Sequence, residues 1–399
     1  MKNSKINFII FNEKINEEKI VIDELCKNLI FIDENIIKVQ FNYKNKKLLL
    51  YLKKRISIKN KNLLFKKIKK VLNNSYSKFK IPEPHIISKK IGKSPAYTNN
   101  PMKELIKNKA GFKESDGIYS FGNKLTKLII IFESKINKIA KKLKADNYHF
   151  PSLMSVEMLD KVDYIKNNPH NIGFVTHLTE DLNKIEMFKK DMLKRQKKIN
   201  INKKNFSETK AMLSPTVCHH LYFMLSNTKL NKNIIATAQG HCFRYESRNM
   251  NFLDRLWNFT MREIIFLGSE KHVTKGLIKA RNLIEEILDE FGLLYIIQSA
   301  SDPFFGEMSG DKSLFQKAFK LKYEVRSKIP FNDTTIAIGS FNNSQDFFGK
   351  KLKITDKNGK YIYSGCLGFG NERLAYSFIC QYGMNERRWP SKILRLFKQ

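Results

Sequence analysis

The first hundred residues alternate between strand-like and helix-like patterns of apolar side chains. The segments KINFIIF, IIKVQFNY and KLLLYLKK are rich in the residue types that strands favour. The segment NLLFKKIKKVLNNSY instead carries its apolar residues at helical spacing. Four prolines between residues 82 and 101 indicate a linker. The pattern therefore predicts a small N-terminal α/β module over residues 1–100, and no motif assigns it a chemical role.

The pattern changes after residue 117. A long amphipathic helix is predicted in GNKLTKLIIIFESKINKIAKKLKADNY, then a strand entry in FPSLMS with Pro151 at its edge, and another helix in EDLNKIEMFKKDMLKRQKK. After residue 210, predicted strands (IIATAQG, REIIFLG, TTIAIGS, SGCLGFG) are separated by predicted helices (VTKGLIKARNLIEEILDEF, DKSLFQKAFKLKYEV). This order predicts a second domain over residues 105–399, of the α+β class, with an antiparallel sheet flanked by helices.

The strong positive charge adds a question about partners. The formal net charge is +35, and clustered Lys and Arg neutralise the phosphates of nucleic acids. In NKKLLLYLKKR and KNKNLLFKKIKKVL, however, lysine is spread along ordinary elements, which favours a solvated surface over a nucleic-acid site. The same surface would attract an acidic protein partner.

Cysteine usage and hydropathy bear on location. Five cysteines, an odd number at irregular spacing, do not predict a disulfide framework. No apolar run approaches the ~20 residues of a membrane span, and the apolar run at the N-terminus is too short and interrupted for a signal peptide. We therefore expect reduced thiols, no membrane partner and a cytoplasmic location.

One carboxylate stands where a core residue is expected. Glu263 lies in the apolar run MREIIFLG, and Cys218 and Cys366 lie 45 positions before it and 103 positions after it. Two thiolates and a carboxylate are zinc ligands, and three protein ligands leave a fourth position for substrate. A buried cysteine is more often a small hydrophobic residue, and His219 and His220 offer alternative ligands.

Two motifs resemble those of class II aminoacyl-tRNA synthetases. The segment Phe243-Arg244-Tyr245-Glu246 looks like motif 2 of that class, and Gly368-Phe369-Gly370-Asn371-Glu372-Arg373 looks like motif 3. They occur in the right order, with ASDPFFGE and SFNNSQDFFGKKL between them. The resemblance covers roughly residues 105–399 and implies the class II catalytic fold.

Within that class, the chain most resembles the zinc-dependent archaeal-type seryl-tRNA synthetases and their relatives, the amino acid:[carrier protein] ligases. The resemblance implies one zinc ion per subunit, held by Cys218, Glu263 and Cys366. A metal ligand at Glu263 explains a charge among core residues, because the ion neutralises it. The resemblance also implies that the zinc binds the free amino group of the substrate and that the protein forms a homodimer, with FPSLMS near the interface.

The chemistry of adenylate formation gives the matching polar residues their roles. A substrate carboxylate and the α-phosphate of ATP repel each other, so the site has to supply positive charge. By resemblance, Arg244 bridges both groups, Glu246 accepts from the adenine amino group, and Glu263 and Arg244 also serve the substrate amino acid. The remaining nucleotide contacts implied are Arg255, Leu256, Phe259 and Arg373. Without the resemblance, Arg244 and Glu246 read as a cross-strand ion pair and Phe259 as a core residue.

One position departs from the pattern of the seryl synthetases. An acidic, magnesium-binding residue usually stands three positions before the Ser of the strand that matches IAIGSFNN, and here that position is Ala337. ATP is expected with Mg²⁺, for which Asn342, Asn343 and Asp346 are the nearby polar candidates. Cys242 is expected on the same strand face as Arg244, where it would line the pocket.

Two hypotheses assign these residues an enzymatic activity, and in a third hypothesis the protein is not an enzyme. In the first, a ligase activates glycine or alanine with ATP and transfers it to the phosphopantetheine thiol of a small acidic carrier protein. In the second, an archaeal-type synthetase transfers serine to tRNA. In the third, the chain is a non-catalytic paralogue. The FTMREIIFLGS segment and the short N-terminal module favour the ligase, while the basic charge suits tRNA.

Overall fold

A computed structural model describes residues 7–11, 22, 25–26, 29–75, 83–92, 94–193, 203–246, 250, 253–300 and 320–399. The segments SDPFFGE and DKSLFQKAF lie outside these residues, so the helix predicted in the latter stays a prediction. In the described part of the chain, no helix is long and apolar enough to cross a membrane.

The strands and helices follow the chain in this order. The strands are β1 (Asn7–Phe11), β2 (Ile36–Asn42), β3 (Lys47–Leu52), β4 (Ile86–Lys90), β5 (Gly111–Ser115), β6 (Ile118–Phe121), β7 (Asp146–Tyr148), β8 (Leu153–Ser155), β9 (Phe174–Val175), β10 (Ala211–Leu213), β11 (Lys229–Leu230), β12 (Ile234–Phe243), β13 (Asn258–Gly268), β14 (Tyr295–Ser299), β15 (Lys322–Ile329), β16 (Thr334–Gln345), β17 (Thr355–Asp356) and β18 (Tyr363–Gly370). The α-helices are α1 (Ile58–Ser75), α2 (Met102–Lys107), α3 (Asn123–Lys142), α4 (Val156–Lys161), α5 (Tyr164–Asn167), α6 (Leu182–Leu193), α7 (Cys218–Met224), α8 (Glu270–Glu290), α9 (Phe347–Leu352), α10 (Asn371–Tyr382) and α11 (Ser391–Lys398). Short 3₁₀ turns lie at Ile30–Ile32, Pro169–Asn171, Lys203–Asn205, Pro330–Asn332 and Glu386–Arg388.

A large sheet forms the centre of the fold. Within the described residues it has eight strands in the order β4-β14-β15-β16-β18-β13-β12-β7. Adjacent strands run antiparallel except β12 and β7, which are parallel. The antiparallel sheet predicted from the alternation of strands and helices is therefore present.

Helices α3, α8 and α10 cover one face of this sheet. In α3 the buried side chains recur every three or four residues, which puts them on the side that faces the sheet. Ser269 is the N-cap of helix α8: its hydroxyl accepts from the His272 amide in the first turn. These three helices therefore cover one face of the sheet, and the candidate site lies on the opposite face.

Strand β13 is buried along most of its length, from Arg262 to Gly268. Its polar residues at the start of this stretch point to opposite faces. Arg262 points towards the helices and forms an ion pair of 2.6 Å with Glu133 of α3, while Glu263 points to the opposite face. The two charges that interrupt the apolar run therefore have different partners.

The N-terminal elements form a separate layer with its own core. Strands β1, β3 and β2 make a three-stranded antiparallel sheet. Leu48, Leu50 and Leu52 alternate onto one face of β3 and pack with Leu64 and Ile68 of α1. This arrangement matches the elements predicted for the module.

Part of the predicted linker is a strand. Strand β4 lies within residues 82–101 and pairs with β14 as the edge of the large sheet. The prolines did limit the strand, since Pro82, Pro84 and Pro95 all lie outside it, but they did not prevent pairing at an edge. The division into residues 1–100 and 105–399 stays a prediction, and β4 ties the end of the first range to the sheet of the second.

Candidate active site

Sheet register brings the three predicted metal ligands together on the open face. Glu263 of β13 lies opposite Gly368 of β18, and Cys366 lies opposite Ile265, two residues further along β13. Residues two apart on a strand share a face, so Glu263 and Cys366 point the same way. Gly368 leaves the space between them open, since a Cβ there would lie 3.3 Å from Cγ of Glu263.

Cys218 reaches this pair from the start of helix α7. The backbone amides of Val217 and Cys218 donate to the two carboxylate oxygens of Glu263, at 3.3 and 3.0 Å. The first turn of α7 is thereby fixed against β13, and the Cys218 side chain points to the same place. One ligand atom from each of Cys218, Glu263 and Cys366 lies within 4.8 Å of the others, and all three residues are buried.

This donor set fits a zinc ion. Tetrahedral ligands at normal zinc distances are roughly 3.3–3.8 Å from one another, and the three ligand atoms lie within 4.8 Å of one another. A buried carboxylate beside two thiols is also costly unless a cation or protons neutralise it. The trio therefore has the donor chemistry of a zinc site, with its ligand atoms already gathered in one place.

The trio favours protons when no cation is present. The hydrogen bond with Cys366, followed by burial and the charge of Glu263, raises the pKa of the Cys218 thiol. Burial also raises the pKa of Glu263, against the hydrogen bonds from Cys218 and Val217 that lower it. Metal binding here would release protons, because thiolates and carboxylates bind metals in their charged forms.

The two histidines beside Cys218 lie outside this group. Among the described residues, the potential metal ligands that cluster are Cys218, Glu263 and Cys366 alone. The His219 ring packs on Phe348, with centroids 5.1 Å apart. The His220 ring stacks on Phe150. Burial, followed by the charges of neighbouring groups, lowers the pKa of His219 to about 3, so this imidazole is neutral in the fold.

A cluster of arginines surrounds Glu246 next to the trio. Arg255 forms an ion pair with one carboxylate oxygen of Glu246, and Arg373 lies 3.6 Å from the other. Burial alone would raise the pKa of Glu246, but the charges of Arg255, Arg373 and Arg244 lower it to about 2. The structure thus brings together four residues predicted to bind the nucleotide.

Arg244 connects the arginine cluster to the metal trio. Its guanidinium lies over the Phe259 ring, 5.6 Å from the centroid, and its Nε donates to the carbonyl of Pro215 at 3.0 Å. Pro215 lies three residues before Cys218. The charge of Arg244 also helps to lower the pKa of Glu263, so one cation serves both halves of the site.

The other predicted contacts have varied surroundings. Leu256 packs in the main core with 3% of its surface exposed, so its side chain is not available to contact a nucleotide. The Ala337 carbonyl accepts from Arg373 at 3.3 Å, which makes this position part of the arginine cluster. Asn343 accepts from the amide of Gln345 and Asp346 forms an ion pair with Lys350.

Cys242 lies on the predicted strand face. Register pairs it with Phe259 and pairs Ala238 with Glu263, so Cys242 shares the face of Glu263 and of the ring beneath Arg244. It is fully buried in a small apolar cluster with Val217 and Ala238, and burial raises the pKa of its thiol well above the usual range. Its thiol is therefore packed beneath the site and has no exposed surface.

Several polar residues near the site were not predicted. Glu324 of β15 forms an ion pair of 2.6 Å with Arg326, and its charge raises the pKa of Arg255, although less than Glu246 does. The sequence could have indicated Glu324, because charged residues alternate in KYEVR at Lys322, Glu324 and Arg326. Residues at this spacing share one face of a strand. Glu372 of motif 3 accepts from the amide and hydroxyl of Thr260, which joins α10 to β13.

Comparison with known proteins gives relatives of two kinds. No protein-family model matches the chain. The chain is 28% identical over 299 residues to amino acid–[acyl-carrier-protein] ligase 1 of Bradyrhizobium diazoefficiens, a match that covers 70% of this chain and 84% of that ligase. It is 23% identical over 287 residues to the type-2 serine–tRNA ligase of Methanothermobacter thermautotrophicus, covering 69% of this chain and 55% of that enzyme. The chain therefore spans about half the length of this tRNA ligase.

Solved structures give the same fold. The seryl-tRNA synthetase of M. kandleri, solved with tRNASec of A. aeolicus, matches with a TM-score of 0.71 at 14% identity, over 98% of this chain and 77% of the other. The cytoplasmic serine–tRNA ligase of Naegleria fowleri, solved with AMP, matches with a TM-score of 0.59 at 13% identity, over 86% of this chain and 72% of the other. The predicted class II catalytic fold and the resemblance to these ligases are confirmed.

Proposed function

We propose that this protein is an amino acid:[carrier protein] ligase, which activates glycine or alanine with ATP and transfers it to the phosphopantetheine thiol of a small acidic carrier protein. The observation that carries the proposal is the Cys218–Glu263–Cys366 trio, joined through Arg244 to an arginine cluster. The acceptor is inferred from the carrier-protein ligase relative, which the chain matches over most of its length.

The side chains have separate roles in the first step. The substrate carboxylate attacks the α-phosphorus of ATP, a P–O bond forms, and pyrophosphate leaves. Arg244 lies between the two halves of the site and offsets the negative charge that accumulates during the attack. Arg255 and Arg373 contact the phosphates, with Mg²⁺ accompanying ATP, and Glu246 accepts from the adenine amino group.

The second step moves the aminoacyl group. The carrier thiol loses its proton, its sulfur attacks the carbonyl carbon, and AMP leaves as the C–S bond forms. A zinc ion held by Cys218, Glu263 and Cys366 would act as a Lewis acid for the free amino group and orient the amino acid. Burial of the trio excludes bulk water, which protects the adenylate from hydrolysis.

Helix α6 offers a docking surface for the carrier protein. None of its residues is buried, and one side presents a stripe of apolar residues: Leu182, Ile185, Met192 and Leu193. At about 100° per residue, Lys189 falls within this stripe, and Glu186 and Lys190 follow one another beyond one edge of it. An apolar stripe with lysines in it and near it suits an acidic helical partner, because both burial and charge complementarity favour association.

A second candidate function has one observation in its favour. Residues 29–75 of the N-terminal module contain 13 lysines and arginines against two acidic residues, a stronger bias than that of the whole chain. Such a surface attracts the phosphate backbone of RNA. The alternative is therefore an archaeal-type seryl-tRNA synthetase, in which this module would bind tRNA.

ATP–pyrophosphate exchange tests the activation step. The full-length protein is assayed with glycine, alanine, serine and the other amino acids in turn, and exchange with glycine or alanine is expected. If no amino acid supports exchange, the protein is not an adenylate-forming enzyme and the non-catalytic reading takes its place.

Transfer of labelled amino acid identifies the acceptor. The activated amino acid is offered to a holo carrier protein and to total tRNA, and label is expected on the carrier. Label on tRNA alone would reject the ligase in favour of the synthetase. Met192→Glu is expected to raise the KM for the carrier and leave exchange unchanged, whereas Met187→Glu, about 140° around the same helix, serves as the matched control.

A further inference from the structure

A side-chain hydrogen-bond donor approaches the sulfur of Cys366. The donor is Asn342, which lies opposite Cys366 on the neighbouring strand β16. The Asn342 side-chain nitrogen lies 3.7 Å from Sγ of Cys366 and 3.1 Å from Oγ of Ser340. The two N–H groups of the amide therefore have two acceptors, one of which is the sulfur.

The Cys218 sulfur has a different neighbour. Its Sγ lies 3.9 Å from Oγ1 of Thr216, two residues earlier on the chain.

Glu263 has its own donors, the amides of Val217 and Cys218. Of these contacts, the one from Asn342 comes from a side chain on a neighbouring strand and is aimed at a sulfur. Donors aimed at a sulfur stabilise its charged form and fix its orientation, and such outer contacts control the affinity of a metal site.

We propose that Asn342 is a positioning residue for the metal site, which orients the Cys366 sulfur and draws negative charge away from it. This inference rests on the zinc site of the proposed function. With less charge donated by that sulfur, the ion stays a better acceptor for the amino group of the substrate. Asn342 thereby sets both the affinity for zinc and the affinity for the amino acid.

Zinc competition and cobalt spectra test the proposal on the full-length protein. In Asn342→Leu, zinc affinity measured against a chromogenic chelator is expected to fall about 10–100-fold. Asn342→Asp, which places a negative charge beside the sulfur, is expected to lose more. In the Co²⁺-loaded variants, the sulfur-to-metal charge-transfer band is expected to move to longer wavelength, because each variant raises the energy of the sulfur electrons.

Steady-state exchange kinetics add a readout that general destabilisation does not produce. The KM for the amino acid is expected to rise in Asn342→Leu and Asn342→Asp, with the KM for ATP unchanged. Asn233→Leu is the matched control, because the Asn233 side chain accepts from the Ser269 amide, beyond the far end of β13 from the trio. Its zinc affinity and cobalt spectrum are expected to equal those of the wild type.

The outcomes separate the two claims. Wild-type zinc affinity and an unshifted cobalt band in Asn342→Leu would refute the positioning role while leaving the ligase proposal intact. A wild-type protein that binds no zinc would refute both the metal site and this inference. A shift in Asn233→Leu equal to that in the test variants would likewise refute it, since the effect would then be general.

Discussion

Replacing Glu246 with Gln tests the electrostatics of the arginine cluster. The carboxylate is 15% exposed and lies between Arg255 and Arg373, and these charges with that of Arg244 outweigh burial to lower its pKa to about 2, from 4.5. A carboxylate with a lower pKa in the folded state stabilises the fold at pH values above its unfolded pKa. The change in pKa corresponds to about 3 kcal/mol at pH 7.

The same linkage fixes the direction of the pH dependence. As the pH falls below 4.5, the unfolded chain binds a proton that the folded protein does not, so the stabilisation decreases until the pH reaches about 2. The difference in unfolding free energy between the wild type and Glu246→Gln is therefore expected to be about 3 kcal/mol at pH 7 and about 2 kcal/mol at pH 3.5.

Urea unfolding followed by tryptophan fluorescence, at several pH values between 7 and 3.5, measures this difference. Glu157→Gln is the control, because Glu157 pairs with Lys161 at 2.8 Å on the surface, with its side chain 76% exposed, and solvent screens that pair. The control is expected to change stability far less. A Glu246→Gln difference that stays constant across the pH range, or that grows as the pH falls, would refute the reasoning.

Three further predictions follow from the site and its support. Cys218→Ser and Glu263→Ala are each expected to abolish stoichiometric zinc, measured by metal analysis of the purified protein, because a three-ligand site loses most of its affinity with one ligand; full zinc in both variants would contradict the ligand assignment. Arg262→Met leaves the carboxylate of Glu133 without its partner. The free energy of unfolding, measured with urea, is expected to fall by about 3–5 kcal/mol. A smaller fall than surface variants show would contradict the ion pair. Arg244→Lys keeps the charge but loses the planar group over the aromatic ring, and the exchange rate is expected to fall about 100-fold; an unchanged rate would remove this residue from the adenylation step.

Local periodicity in the sequence was sufficient to identify the main elements. The helical spacing in GNKLTKLIIIFESKINKIAKK predicts α3, and the apolar run around Glu263 predicts β13. Each signal depends on residues within one or two turns, so no distant contact was needed. The sequence also identified the residues that carry chemistry: two cysteines, a glutamate and two family motifs.

Positions that depend on long-range pairing were less accessible. The prolines of residues 82–101 indicated a linker, yet β4 completes the edge of the large sheet, because an edge strand needs only one set of backbone partners. Strand alternation placed Cys242 on the face of Glu263, as the register has it, but its full burial against Val217 and Ala238 depends on what packs over the strand. Of the three polar candidates for Mg²⁺, register puts Asn342 beside Cys366, where sequence offered no distinction between it and Asn343.

The sequence by itself determined which residues can take part in chemistry, because residue type alone identifies the thiol, carboxylate and guanidinium groups. Only the tertiary structure decided that Cys218, Glu263 and Cys366 converge and that the Asn342 amide lies beside the Cys366 sulfur. The physical reason is sheet register: a slip of one residue turns every side chain of a strand to the opposite face. Register is set by the packing of the whole sheet, which no short stretch of sequence contains.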